Sequence, residues 1–380
     1  MKKIPIVELD MQIAPRERFL HIPKKYLRAG KTLAQRSNAE IGHWALQRLA
    51  ATVLDTTTAF RNPYRQEMAA WAGVLGISRS ESLTANFAYE LSQMASWGYG
   101  VYDQLRPRLE RLHGKVSAWY EKAIMELTTI RDSHLACTAG AAYYPKLGNV
   151  LVRSMDWSLE GLGTHSVLWK HTGLDVGDYY SLGWPGYVGV LSGNAPGRFA
   201  ATINLAPPVS PPFVKGWPPS HLLRRVFDTC EDYEDALEAL EFSEVCFPAF
   251  VMLVGTKPGQ AAVVELTPEE NRIHAMRARK PIAIGNDYLS AAWRERFRAT
   301  AKDIKPHEKG SREEHRRNTM LRELNRRKPQ TLAGAFKAVQ ADWIWNDATV
   351  QQMIFMPGSG ECIVYGLEDT EPVAAGGVKV

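Results

Sequence analysis

Apolar residues follow two different periods along the chain, and the period changes near residue 137. Through 31–136 they recur every three or four positions, as in AEIGHWALQRLAATVL and YRQEMAAWAGVLG, which predicts amphipathic helices. A further stretch of this kind covers 105–130. Before the helices, residues 4–9 form one short strand candidate in an otherwise irregular start. The first third of the chain is therefore predicted to be mostly helical.

After residue 137, short apolar or alternating runs are separated by Gly, Pro and Asn, which is typical of strands. These runs are CTAGAAYY, NVLVRSMDW, SVLWKHTGL, GYVGVLSG, RFAATINLA, PAFVMLVGT, QAAVVELT, NRIHAMRA and PIAIGN, the last four in meander order. Helical patterns return over 220–242 and 294–327, and TVQQMIFMPGSGECIVYG closes as a hairpin around 357–360. Runs of strands with helices on either side predict an α+β fold in layers.

Composition narrows the possible function only slightly. The chain has 380 residues, 45% of them hydrophobic, and a formal net charge of +5. This charge permits contact with an anionic membrane surface, but nucleic acid is not expected because no zinc-finger, homeodomain or RNA-binding pattern accompanies it. Four cysteines without C-x-x-C or zinc spacing predict free thiols, no metal and no cofactor. No signal-like or membrane-spanning run is found, so a cytoplasmic location is the expectation.

One hairpin carries the candidate chemistry. Cys137 opens a strand, the chain turns at 145–148, and Arg153 and Asp156 lie near the end of the returning strand. Ends of paired antiparallel strands lie side by side, so a thiol, a guanidinium and a carboxylate could converge. The guanidinium would favour the thiolate, and the carboxylate would accept a hydrogen bond from an ammonium group.

Each of these residues also has an ordinary structural explanation. A lone cysteine opening a strand is commonly a small buried hydrophobic residue, and an Arg and an Asp three positions apart are commonly an exposed pair. If Asp156 were exposed, its replacement by Asn would lower activity far more than stability. No histidine is available in this segment to act as the base.

The chain resembles the acid ceramidase and N-acylethanolamine acid amidase group of the choloylglycine-hydrolase-like N-terminal nucleophile (Ntn) hydrolases. The resemblance covers most of the chain. It rests on Cys137-Thr138 followed by Arg153-Ser154-Met155-Asp156, on Gly186-Tyr187-Val188-Gly189 with Gly193-Asn194-Ala195-Pro196, and on Gly285-Asn286-Asp287-Tyr288. Upstream, FRNPYRQEMAAWAGVLGIS and NFAYEL are similar to the helical propeptide-derived subunit.

The resemblance implies a four-layer αββα sandwich and a chain that cuts itself between Ala136 and Cys137. Residues 1–136 would form a helical N-terminal segment and 137–380 the catalytic core, and the two fragments would stay together as a heterodimer. The cut supplies the missing base: an α-amine has a pKa near about 8 and can take the proton of the thiol.

Three further site residues follow from the resemblance. Asn286 matches the oxyanion asparagine of the family, and Asn204 in TINLAP matches a second asparagine of the bile-salt-hydrolase branch. Arg316, in HRRNTMLREL, matches a later active-site arginine, although a solvated helix face is the competing interpretation. Leu205 stands where the ceramidase branch has a glutamate, and the family lacks the roughly forty residues 96–136.

The leading hypothesis is an amidohydrolase that cleaves the linear amide bond of N-acyl amine lipids through a thioester on Cys137. A first alternative is an acyltransferase or amide-forming enzyme that uses the same acyl-cysteine. A second is an inactive scaffold, but intact Cys137, Arg153, Asp156 and Asn286 argue against it. The expected partner is a small-molecule acyl amide, with peripheral membrane contact permitted by the charge.

Overall fold

A computed structural model describes most of the chain. The described residues are 4–41, 62–90, 136–207, 209, 216–300, 310–326, 328–368 and 371–373. The predicted helix over 105–130 and nearly all of the insertion 96–136 lie outside them. So does the part of the first predicted helical pattern that falls in 42–61.

Fourteen strands are found in the described residues, in two sheets. They are β1 (Ile6–Asp10), β2 (Ala136–Tyr144), β3 (Gly148–Asp156), β4 (Val167–Thr172), β5 (Tyr179–Gly183), β6 (Ser192–Ala195), β7 (Phe199–Leu205), β8 (Ala249–Gly255), β9 (Ala261–Leu266), β10 (Arg272–Ala275), β11 (Ile282–Ile284), β12 (Thr349–Phe355), β13 (Cys362–Glu368) and β14 (Glu371–Val373). Sheet A has the order β1-β4-β5-β6-β7-β8-β9-β10, and sheet B the order β11-β2-β3-β12-β13-β14.

The described helices bracket these sheets in the sequence. They are α1 (Pro15–Arg18), α2 (Lys24–Ile41), α3 (Arg65–Leu75), α4 (Arg79–Asn86), α5 (Pro219–Thr229), α6 (Tyr233–Glu241), α7 (Ala291–Thr300), α8 (Gly310–Arg326) and α9 (Leu332–Phe336). Local sequence sets several boundaries. Gly76 ends α3 with a left-handed φ of +63°, and Ser78 begins α4 with a capping box closed by Glu81.

Alternation along the strands divides the core into layers. In β8, Phe250, Met252 and Val254 pack between the two sheets, whereas Val251 and Leu253 pack against the outer helices. That outer layer includes α3, α5 and α6, and the far face of sheet B is covered by α8 and α9. The order of layers is therefore helices, sheet A, sheet B, helices, and the predicted α+β four-layer sandwich is confirmed.

The segment before residue 137 shares the core with the rest of the chain. β1 is an edge strand of sheet A and pairs in parallel with β4, with Ile6 opposite Leu168 and Asp10 opposite Thr172. Helices α3 and α4 contribute Met68, Trp71 and other apolar residues to the same cluster as sheet A. The N-terminal segment therefore completes the outer face of this sheet.

Three details differ from the sequence predictions. The run GYVGVLSG is largely a turn, because Gly186 has φ +94° and the strand begins only at Ser192. PIAIGN does not continue the meander: its strand β11 pairs with β2 in sheet B. The charged helical stretch predicted over 294–327 begins three residues earlier, at Ala291 of α7, and includes α8. The hairpin around 357–360, between β12 and β13, is found as predicted.

Candidate active site

The β2–β3 hairpin places Cys137 and Arg153 on one face of sheet B. Cys137 pairs with Met155 and Ala139 with Arg153, and residues paired in this way point to the same side. That side faces sheet A, because the neighbouring Ala141 and Leu151 belong to the core between the sheets. The thiol and the guanidinium therefore meet in the interior, where both side chains are buried.

Arg153 connects the thiol to sheet A. Its Nη2 donates to Cys137 Sγ at 3.2 Å and to the carbonyl oxygen of Ile203 at 2.5 Å. Its Nη1 donates to the Leu191 carbonyl oxygen at 3.0 Å and to Ser192 Oγ at 2.5 Å. Within the described part of the chain no carboxylate forms an ion pair with Arg153, so neutral oxygens alone share its charge with the sulfur. This arrangement places a guanidinium donor directly on the sulfur.

Asp156 lies on the opposite face of sheet B, because it pairs with Ala136 rather than with Cys137. Its carboxylate is buried and accepts hydrogen bonds from Arg316 Nη2 at 2.8 Å, Asn346 Nδ2 at 2.8 Å and Thr349 Oγ1 at 2.7 Å. Burial raises the pKa of Asp156 while Arg316, foremost among these partners, lowers it. Arg316 therefore forms an ion pair with Asp156, which lies opposite Ala136 in the β2–β3 pair. Both side chains are buried, so Arg316 does not lie on a solvated helix face.

Asn286 holds the backbone of the nucleophile. The Cys137 nitrogen, an amide in this continuous chain, donates to Asn286 Oδ1 at 2.7 Å. Asn286 Nδ2 donates to the Leu205 carbonyl oxygen at 2.8 Å, and the amide group carries a second N–H that could serve an oxyanion. β11 delivers Asn286 to this place by pairing with β2, with Ile284 opposite Ala139.

Asn204 lies behind Asn286 in the described structure. Its Nδ2 donates to the carbonyl oxygens of Gly285 at 3.0 Å and Ile284 at 3.3 Å. These bonds fix the segment that carries Asn286, so Asn204 supports the position of that side chain. Its suggested role as an oxyanion donor stays a prediction.

The structure also adds residues that sequence reasoning missed. Tyr89, in the NFAYEL segment, donates from its hydroxyl to the Ile203 carbonyl oxygen at 3.1 Å and forms a hydrogen bond with Cys137. Asn346 and Thr349 complete the surroundings of Asp156. In the sequence, Tyr89 stands out only as part of the NFAYEL resemblance, and no pattern links Asn346 and Thr349 of WNDAT to Asp156. The contacts of these residues with the site join segments that are distant in the chain.

A row of buried aromatic rings starts at Tyr89. Tyr89 packs edge-on against Trp157 with ring centroids 5.9 Å apart, Trp157 against Trp184 at 5.7 Å, and Trp184 stacks on Tyr187 at 4.3 Å. All four rings belong to the core cluster that includes Cys137. Cys137 therefore lies beside a row of buried aromatic rings.

The described ranges contain other side chains that could carry chemistry. All four cysteines lie in the described ranges, and each is buried and forms no disulfide. No three His, Cys, Asp or Glu side chains of these ranges are grouped as metal ligands. None of the helices seen here is long and apolar enough to cross a membrane.

Glu90 is a second buried carboxylate near the site. Its Oε1 accepts hydrogen bonds from the Ser220 nitrogen at 3.2 Å and from Ser220 Oγ at 2.5 Å. Oε2 has no hydrogen-bond partner among the described residues. Burial raises the pKa of Glu90 from 4.5 to about 7, although both hydrogen bonds from Ser220 oppose this rise. Tyr187 and Cys246 are the titratable groups that interact with it.

We expect Glu90 to make the protein less stable as pH rises. Between pH 4.5 and 7 the folded state keeps a proton that the unfolded state has lost, so stability is full below about 4.5 and falls through about 7. Glu90→Gln should become more stable than wild type by on the order of 3 kcal/mol at pH 8. Urea unfolding of both proteins in an uncut Cys137→Ala background measures this difference.

The difference in stability between Glu90→Gln and wild type reports on Glu90 alone, because the other titratable groups are the same in both proteins. Burial lowers the pKa of His171 and His221, which acts in the opposite direction on stability, but both histidines are present in both proteins. Glu241→Gln, at an exposed position, is the control and should keep the wild-type dependence. A difference between Glu90→Gln and wild type that does not change with pH would contradict the expectation.

Comparison with known proteins gives similarities at the level of solved structures. No protein-family model and no curated protein matches the sequence. The chain is similar to an N-acylethanolamine-hydrolyzing acid amidase ortholog from Caenorhabditis elegans, with 17% identity, a TM-score of 0.45, and coverage of 58% of this chain and 93% of that one. It is also similar to two crystal structures of variants of the conjugated bile acid hydrolase from Clostridium perfringens.

For the first of these variants the identity is 12%, the TM-score 0.43, and the coverage 64% of this chain and 92% of the other. For the second, the identity is 11%, the TM-score 0.34, and the coverage 65% and 85%. These are members of the groups that the sequence motifs resemble. All three TM-scores are below 0.5.

Proposed function

We propose that this protein is an Ntn-type amidohydrolase with Cys137 as its nucleophile. The observation that carries the proposal is the environment of this residue. Its buried thiol receives a hydrogen bond from an arginine that has no acidic partner among the described residues, and its nitrogen is held by Asn286. A thiol next to a nitrogen that becomes an amine on cleavage is an activated nucleophile with its own base.

The reaction follows from the same atoms. The free α-amine of Cys137 takes the thiol proton, and the sulfur attacks the carbonyl carbon of an amide. The tetrahedral oxyanion collapses, the amine leaves with a proton, and an acyl thioester remains for water to hydrolyse. Arg153 stabilises the thiolate, and Asn286 orients the α-amine through its Oδ1. A second N–H of Asn286 is the candidate oxyanion donor.

The two fragments produced by cleavage would stay associated. β1 is hydrogen-bonded into sheet A, and Glu67 of α3 forms a buried ion pair with Arg224 of α5 at 3.3 Å. Tyr64 Oη donates to Asp228 at 3.0 Å, and Asn62 is hydrogen-bonded to His221 at 2.8 Å. Separating residues 1–136 from the core would expose these groups and a large apolar surface.

The proposed substrate class is an N-acyl amine with a long acyl chain. The row of buried rings from Tyr89 to Tyr187 begins beside the thiol, and aromatic side chains are of the kind that line acyl-binding sites. The amine is expected to matter less, because Leu205 replaces the polar residue of the ceramidase branch. The side chain of Leu205 is buried, and its carbonyl oxygen accepts a hydrogen bond from Asn286.

We expect kcat/KM to rise steadily with acyl chain length on a fixed amine. Each additional buried CH₂ contributes about 0.8 kcal/mol, which is roughly a fourfold gain until the site is full. The measurement is a steady-state series of N-acyl amides from two to eighteen carbons, beside one acyl chain on several amines. Short peptides and β-lactams should be poor substrates.

Flat dependence on chain length together with sharp dependence on the amine would reject a lipid amidase. It would favour a small-amide hydrolase or an acyltransferase. Cys137→Ala protein, assayed in parallel, is the control for background hydrolysis by a contaminating enzyme.

A further inference from the structure

We infer that Tyr89, a residue of the N-terminal segment, positions the thiol of Cys137 for reaction, so that the fragment on the other side of the cleaved bond supplies part of the active site. This inference rests on the proposed function. Tyr89 is 48 positions before Cys137 in the sequence and would belong to the other fragment after cleavage. Its side chain is buried, and its hydroxyl reaches the sulfur.

The hydrogen bonds around the sulfur define the role. The carbonyl oxygen of Ile203 accepts from both Tyr89 Oη, at 3.1 Å, and Arg153 Nη2, at 2.5 Å. Tyr89 has one hydroxyl proton, which it donates to Ile203, so beside the sulfur the phenol can accept an S–H through a lone pair or turn its own proton to the sulfur. Arg153 meanwhile donates to the sulfur at 3.2 Å. Tyr89, Ile203 and Arg153 therefore form one hydrogen-bonded group beside the sulfur.

The same hydroxyl can serve the ionised sulfur. When the α-amine removes the thiol proton, the phenol is able to turn its own proton from Ile203 to the thiolate, while Arg153 continues to donate to Ile203. Tyr89 does not act as a base, since burial raises its pKa well above the usual value and keeps it a neutral phenol. It is a positioning residue, and packing against Trp157 at 5.9 Å holds its ring.

Tyr89→Phe tests this role, because it keeps the ring and removes only the hydroxyl. We expect kcat to fall about ten- to hundredfold, as for loss of a hydrogen bond to a charged group, with KM within about twofold of wild type. Iodoacetamide should alkylate Cys137 more slowly at pH 7. The alkylation profile should also move to higher pH, because the thiolate has lost a donor. Peptide mass spectrometry follows Cys137 separately from Cys230, Cys246 and Cys362.

Tyr179→Phe is the matched control. Tyr179 is also a fully buried tyrosine, and its hydroxyl donates to Asp228 at 2.8 Å. Its ring stacks on Phe227 of α5 and so lies on the helix-facing side of sheet A, whereas its strand neighbours Tyr180 and Leu182 face the core between the sheets. This variant should lose a comparable amount of thermal stability and keep the wild-type alkylation profile. If Tyr89→Phe folds poorly, 3-fluorotyrosine at position 89 replaces it. Its more acidic hydroxyl is a stronger donor and should move the profile to lower pH.

The outcomes separate the two proposals. A reactive wild-type Cys137 with unchanged alkylation and kcat in both position-89 variants overturns the role of Tyr89 and leaves the nucleophile intact. A wild-type Cys137 that does not react, in protein without turnover, overturns the proposed function and this inference with it. The expected shifts at position 89, absent in Tyr179→Phe, support both.

Discussion

Purified wild-type protein is expected to consist of two associated fragments, 1–136 and 137–380, whereas Cys137→Ala should remain one chain of 42.5 kDa. Cleavage needs the Cys137 sulfur, which attacks the Ala136 carbonyl carbon. A thioester forms, the amide nitrogen becomes a free amine, and water then releases the Ala136 carboxylate. This expectation rests on two contacts in the uncut chain, the Cys137 nitrogen on Asn286 and the thiol on Arg153.

The same variant should lose amidase activity by at least about a thousandfold, because nucleophile and base are removed together. Intact mass spectrometry and an acyl-amide assay on one preparation measure both effects. Cys230→Ala, which replaces another buried free cysteine, should be cut and active like wild type. An active wild-type protein that is still a single chain would show that the mechanism does not use a free N-terminal amine.

The second large effect is expected for Asp156→Asn, which should lower the free energy of unfolding by about 3–5 kcal/mol. The variant keeps the shape of the side chain but leaves the buried Arg316 guanidinium without its carboxylate at 2.8 Å. This reverses the expectation from sequence, where an exposed strand-end Asp would contribute little to folding. Asp156 is only 1% exposed, so the premise of that expectation is wrong.

Two further variants make the test specific. Glu313 is the other acidic neighbour of Arg316, at 3.4 Å and half-buried, so Glu313→Gln should change stability by no more than about 1 kcal/mol. The double variant Asp156→Asn, Arg316→Met also removes the unpaired guanidinium charge and should recover much of the lost free energy of unfolding. Urea unfolding at pH 8 in the uncut Cys137→Ala background measures all of them. Equal stability of Asp156→Asn and its parent would contradict a buried ion pair.

Asp156→Asn should also slow self-cleavage. Asp156 is paired in register with Ala136, the residue whose carbonyl carbon would be attacked in the proposed cleavage. Loss of its bonds to Arg316, Asn346 and Thr349 would loosen the strand end that holds this peptide bond. A time course of fragment formation in the Cys137-containing variant distinguishes this effect from the change in stability.

The sequence by itself determined the local parts of the site. Alternation along two short runs and a turn at 145–148 define the β2–β3 hairpin, and a two-residue period then places Cys137 and Arg153 on one face. Interactions between close neighbours in the chain dictate such features, so they can be read from the order of residues. The same holds for α5 and α6, whose apolar spacing and start residues are local.

Tertiary structure decided the contacts between distant segments. Asp156 was expected near the nucleophile, but the same two-residue period places it on the opposite face, where Arg316, 160 positions later, meets it. β11 does not continue the meander of sheet A but pairs with β2 in sheet B, and this pairing places Asn286 beside Cys137. Tyr89 reaches the thiol only because the N-terminal segment packs on sheet A. Burial and charge compensation across the whole core determine which distant residues become partners. The local sequence around a residue therefore does not predict its long-range partners.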